Sequence, residues 1–146
     1  MLVKISQPPV KNLPMTKKTT SQQAMQRNRW IIAILGIATP YLARLPGIPE
    51  HGWLWLTSYF GDNLWAPLFF GAFNAVCWAP VIFGSFLYKK PSTIWYPAVG
   101  ALASSAVMHS TVDLAADAQA SLALVVIPFL TLPFTATGWI IGYIVE

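Results

Sequence analysis

The sequence predicts an all-α, polytopic integral membrane protein with four transmembrane helices and both termini on the cytoplasmic side. Three observations carry that expectation. Hydrophobic residues make up 55% of the chain and charged residues only 10%, against about 25% charged in soluble domains. The mean hydropathy is +0.55 over 146 residues, and a core of this size cannot hide that much apolar surface without lipid around it. The basic residues also flank the apolar runs. Lys4, Lys11, Lys17, Lys18, Arg27 and Arg29 precede the first run, Lys89 and Lys90 follow the second, and only Arg44 lies elsewhere. That is how topology signals are distributed. A nucleic-acid reader would carry its basic residues on a folded face, so no nucleic acid is expected as a partner.

Residues 1–29 read as a disordered basic cytoplasmic tail, polar and free of acidic residues. The stretch Ser21–Arg27 has enough helical character to extend the first membrane helix. The same composition fits an organellar transit peptide. The inner (plasma) membrane is therefore the first expectation, with an organellar or thylakoid membrane as the alternative.

The transmembrane domain is expected over residues 30–146. The first span, 30–48, holds Pro40, which should kink it, and Arg44, expected to snorkel to the headgroups. Pro46-Gly47-Ile48-Pro49 should end the helix. His51 to Phe60 is aromatic and too short to span. Trp53, Trp55, Tyr59 and Phe60 suit a short interfacial segment at the membrane–water boundary, and Gly61-Asp62-Asn63 reads as a turn. The second span, 63–88, carries no charged side chain and exceeds the about 20 residues that cross a bilayer core. Trp65 and Tyr88 would anchor its ends. Asn74 falls near mid-depth, where an amide wants a partner on another helix.

The third span, 94–112, is rich in Gly, Ala and Ser, the composition of a helix packed closely on protein. Gly100 and Ser104 mark that face. The fourth span, 119–145, contains Pro128 and Pro133. Thr131 and Thr135 are expected to bond carbonyls freed by those prolines, and Gly138 and Gly142 form a further close-packing pair. With four spans, the tail, Lys89-Lys90 and Glu146 share the cytoplasmic side. Arg44, Glu50, His51, Asp62, Asp113 and Asp117 fall on the other. A three-span alternative would separate the tail from Lys89-Lys90.

The third span carries the best candidate for chemistry. Ala101, Ser105, His109, Asp113 and Asp117 recur every four residues and form one helical stripe. Ionisable residues inside a membrane often mark sites or pathways. His109, Asp113 and Asp117, joined by Arg44, His51, Asp62 and Asn74, are the polar candidates. His109 and Asp117 lie about 12 Å apart along a helix, too far to share one metal ion. No paired-cysteine, metalloprotease or phosphate-loop motif is present. No cofactor, metal or catalytic residue is expected. The lone Cys77 reads as a buried small hydrophobe.

The first functional expectation is a non-enzymatic subunit or assembly factor of a membrane complex, embedded in the bilayer as a homo-oligomer or within a larger assembly. The alternative is a transporter or ion/proton channel component using the outward polar cluster. A metal-dependent membrane enzyme is the third. A working site predicts that Arg44, Glu50, His51 and Asp62 converge on His109. An assembly role predicts an exposed small-residue face with no enclosed polar cavity.

Overall fold

A computed structural model describes residues 19–59, 65–114 and 120–146. The turn at Gly61-Asp62-Asn63, Phe60, Asp117 and most of the basic tail lie outside the described residues. Every regular element described is helical. Three helical stretches are long and apolar enough to cross a membrane: Thr20–His51, Pro67–Leu87 and Leu122–Val145.

Helix α1 spans Thr20–Leu42. Thr19 caps it: its hydroxyl accepts from the Gln22 amide at 3.4 Å, and the Gln22 side chain accepts from the Thr19 amide at 3.1 Å. This reciprocal box satisfies two of the orphan donors at the helix start. The helix therefore starts ten residues before Trp30. Residues 20–29, placed within the disordered tail on composition, are helical instead, with Ser21–Arg27 as the extension.

The α-helix ends at Leu42 rather than at the Pro46–Pro49 stop. A 3-10 turn over Leu45–Gly47 leads into two short helices, α2 (Ile48–His51) and α3 (Trp53–Thr57). Gly52 joins them at φ +74°, a conformation that glycine adopts without penalty. The aromatic segment is two-faced. Trp53 and Leu54 are 69% and 82% exposed, whereas Trp55 and Tyr59 are buried. The expectation that all its aromatics face the boundary is corrected for those last two.

Helix α4 covers Trp65–Gly84 and closes in a 3-10 turn, Ser85–Leu87. Helix α5 covers Trp95–Thr111, 17 residues, or about 25 Å. Helix α6 covers Ala120–Val145. Long helices that follow one another in the chain run antiparallel. Asn28 Nδ2 donates to the Pro91 carbonyl at 2.7 Å and Arg29 Nε to Ser85 Oγ at 2.6 Å. The Glu146 carboxylate accepts from the Lys89 and Lys90 amides. The start of α1, the end of α4, the start of α5 and the end of α6 thus meet at one end of the bundle.

Helices α4 and α5 form the centre, flanked by α1 on one side and α6 on the other, and the α5–α6 contact is the most extensive. Its closeness depends on two glycines. A Cβ at Gly100 would fall on the Phe134 backbone carbonyl, and one at Gly138 would fall on the Tyr96–Pro97 backbone. Gly142 sits more loosely, facing the Tyr88 hydroxyl and Thr93. Three tryptophans use glycine in another way: Trp78, Trp55 and Trp139 lay their indoles on Gly36, Gly47 and Gly84.

Candidate functional site

The stripe on α5 reaches into the bundle. Ala98, Ala101, Ser105 and His109 are all buried, because a four-residue repeat keeps one face of the helix turned to α1 and α4. The stripe stops there as a core feature. Asp113 lies beyond the end of α5 and is exposed.

Two polar layers cross the bundle. The lower one centres on Asn74, which is 2% exposed. Its Nδ2 donates to the carbonyl of Gly36 on α1. Its Oδ1 accepts from Ser105 Oγ and from Cys77 Sγ, each at 3.4 Å. The choice of Gly36 has a physical reason. Pro40, four residues on, has no N–H and leaves that carbonyl without its helical donor. In a membrane such a group must find a partner inside the protein, and Asn74 supplies it. The prolines of α6 are treated differently. Thr131 Oγ1 donates to the Pro128 carbonyl at 2.7 Å and Thr135 Oγ1 to the Thr131 carbonyl at 3.1 Å. The carbonyls freed by Pro128 and Pro133 are those of Leu124 and Phe129. The expected repair by these two threonines is therefore not made.

The upper layer holds Arg44, Tyr59 and His109. Arg44 was expected to snorkel, but it is 0% exposed. Its Nε donates to the Trp55 carbonyl and its Nη1 to the Val112 carbonyl, both at 2.6 Å, and its Nη2 reaches Ser58 Oγ at 3.3 Å. The guanidinium also lies over the Trp55 ring at 3.7 Å and the Tyr59 ring at 4.2 Å. A planar fork of donors suits this set, since carbonyls and hydroxyls approach its edge while aromatic faces cover its plane. Val112 ends α5, where unpaired carbonyls carry partial negative charge. The buried cation thus ties the connection after α1 to the end of α5.

Tyr59 is the link between Arg44 and His109. Its hydroxyl lies 3.0 Å from His109 Nδ1, and the two rings meet edge to face at 5.7 Å. His109 is 3% exposed, and its Nε2 has no hydrogen-bond partner among the described residues. Apolar neighbours close the layer: Leu124 and Ile127 from α6, with Phe70 from α4 and Tyr41 from α1.

The other polar candidates fall elsewhere. His51 pairs with Glu50 at 3.9 Å and stacks on Trp55 at 4.4 Å, both acid and base being exposed. Asp62 and Asp117 lie outside the described residues. Among the described residues, no three of His, Cys, Asp or Glu come together. Ser104 Oγ bonds back to the Gly100 carbonyl at 2.6 Å. The residue that sequence reasoning missed is Tyr59. Its place in an aromatic run signalled an interfacial anchor, and only the fold of the 45–59 connection turns it inward.

The outer surface carries an extended groove. Along α5 and α6, a cleft of about 870 Å³ lined by Tyr96, Gly100, Phe134 and Gly138 runs on into one of about 360 Å³ lined by Val99, Ala103 and Ser104. Compared with models of known families, with curated proteins and with solved structures, the chain matches none.

Proposed function

We propose that the chain is a four-span membrane protein of the inner (plasma) membrane, with both termini on the cytoplasmic side, and that it serves as a non-enzymatic subunit or assembly factor of a membrane complex. The supporting observation is the α5–α6 groove. It is apolar and floored by small residues at Gly100, Ala103 and Ser104, the surface that lets a neighbouring helix approach closely in lipid. The inward polar side chains fit the same reading. Arg44 and Asn74 bond to backbone of other segments and hold the bundle in one arrangement. The clustering of Arg27, Arg29, Lys89 and Lys90 at one end supports cytoplasmic termini.

The test is co-purification in a mild detergent. Val99→Trp fills the groove, and Ile34→Trp adds the same bulk to the exposed face of α1. A stoichiometric membrane partner, or a second copy, is expected with wild type and Ile34→Trp and is expected to be lost from Val99→Trp. Equal recovery by all three contradicts a role for the groove.

A transport role is the second reading, favoured by the buried His109 Nε2, which has no partner among the described residues. It predicts ion or proton flux through proteoliposomes that His109→Leu abolishes without unfolding the protein.

A further inference from the structure

A second cleft lies between α1 and α4, at the basic end of the bundle. Its volume is about 510 Å³, and Gln26, Arg29, Trp30, Ala33, Trp78 and Ile82 line it. On α1 these positions follow the i, i+3, i+4, i+7 pattern, and on α4 they are one turn apart, so the lining is one continuous strip of each helix. The strip is amphipathic along its length. Arg29 and Gln26 stand at the mouth, and two indoles, a methyl and an isoleucine continue it toward the middle of the bundle.

Arg29 is fixed in place. Its Nε donates to Ser85 Oγ at 2.6 Å, and the guanidinium lies 3.8 Å over the Phe86 ring. Ser85 is itself buried and donates to the Ile82 carbonyl. These contacts engage one edge and one face of the guanidinium. Its two terminal nitrogens have no partner among the described residues, and together they form the fork that matches two oxygens of a phosphate. The surroundings reinforce the charge. Arg27, Lys89 and Lys90 are at the same end, and the carboxylate there, Glu146, accepts backbone amides.

We propose that this cleft is a seat for one anionic phospholipid, with its phosphate on Arg29 and an acyl chain along Trp30, Ala33, Trp78 and Ile82. A basic pocket between membrane helices at the cytoplasmic face is suited to an anionic headgroup. The apolar limb beneath it selects a lipid over a water-soluble anion.

Native mass spectrometry of the full chain in a neutral detergent tests the seat, with phosphatidylglycerol and phosphatidylcholine of the same chain length added at equal concentration. Wild type is expected to retain one phosphatidylglycerol, favoured by about fivefold over phosphatidylcholine. Arg29→Gln is expected to bring the ratio to unity. Lys89→Gln with Lys90→Gln is expected to weaken it less than Arg29→Gln does, because those side chains add to the local charge without lining the cleft. Ala33→Trp keeps Arg29 and blocks the apolar limb, so it should also lose the retained lipid. It serves as the second probe should Arg29→Gln fail to fold. Equal retention of the two lipids by wild type overturns the proposal. So does an undiminished preference in Arg29→Gln or Ala33→Trp, or a loss in the Lys89/Lys90 variant as large as that in Arg29→Gln.

Discussion

The Nη1 of Arg44 donates to the carbonyl of Val112 at 2.6 Å, across 68 positions of sequence. One buried cation thereby joins the connection after α1 to the residue that caps the end of α5, and its Nε fixes Trp55 in the same contact. Hydrogen bonds to a charged group contribute about 1.5–3 kcal/mol each. Arg44→Ala is therefore expected to destabilise the protein by at least about 3 kcal/mol, read as a large fall in unfolding temperature in detergent. Arg44→Lys should recover less than half of the loss, since one ammonium cannot match a fork of donors between two rings. Full rescue by lysine would show that charge alone is needed there.

Asn74 and Pro40 are linked through the Gly36 carbonyl. Asn74 donates to the carbonyl that Pro40 leaves free. Asn74→Leu should cost about 1–3 kcal/mol, the penalty of a buried carbonyl without a donor. In a Pro40→Ala background the helix supplies its own donor, and the same substitution should cost markedly less. Equal costs in both backgrounds, measured by a double-mutant cycle of thermal or denaturant unfolding, would refute the repair.

The glycines of α4 and α5 should respond in opposite ways. Gly100→Ala forces a methyl onto the Phe134 backbone, and overpacking of this kind costs about 1–3 kcal/mol. Gly71 has open space around it and lies inside α4. Gly71→Ala should be neutral or stabilising by up to about 1 kcal/mol, because alanine restricts the unfolded backbone. Comparing unfolding temperatures of the two variants checks both signs.

His109 and Tyr59 should be coupled. Tyr59→Phe removes the hydroxyl bonded to Nδ1 and leaves a buried imidazole with neither nitrogen paired. It should destabilise by about 1–3 kcal/mol. The same change in a His109→Leu background should cost less, giving a coupling of about 1 kcal/mol in the cycle. Additive effects would mean that the 3.0 Å contact contributes nothing.

The helical architecture, with three stretches long and apolar enough to cross a membrane, was legible in the sequence because apolar length reports it directly. So was the need of Asn74 for a partner on another helix. The identity of that partner follows from the Pro40 spacing only once α1 and α4 are known to be adjacent. Arg44 was misread for a different reason. A long cation near a helix end ordinarily reaches water, and nothing local to Leu42–Leu45 signals that α2 and α3 fold back over it. The inward turn of Trp55 and Tyr59 has the same origin, since an aromatic run suits a membrane boundary and a protein interior alike. The α6 threonines were misassigned because proximity to proline does not place a hydroxyl on the freed carbonyl.

The most direct measurement concerns α5, the shortest of the four long helices. In a Cys77→Ala background, Ser92→Cys and Asp113→Cys place single thiols at exposed positions before and after that helix. Each variant is treated, in intact cells and after permeabilisation, with a membrane-impermeant maleimide. If α5 crosses the membrane and carries Val112 to Arg44 on the far side, the thiol at position 113 labels in intact cells and that at position 92 only after permeabilisation. Labelling of both positions under the same condition would place the two ends of α5 on one side of the membrane and contradict the four-span architecture.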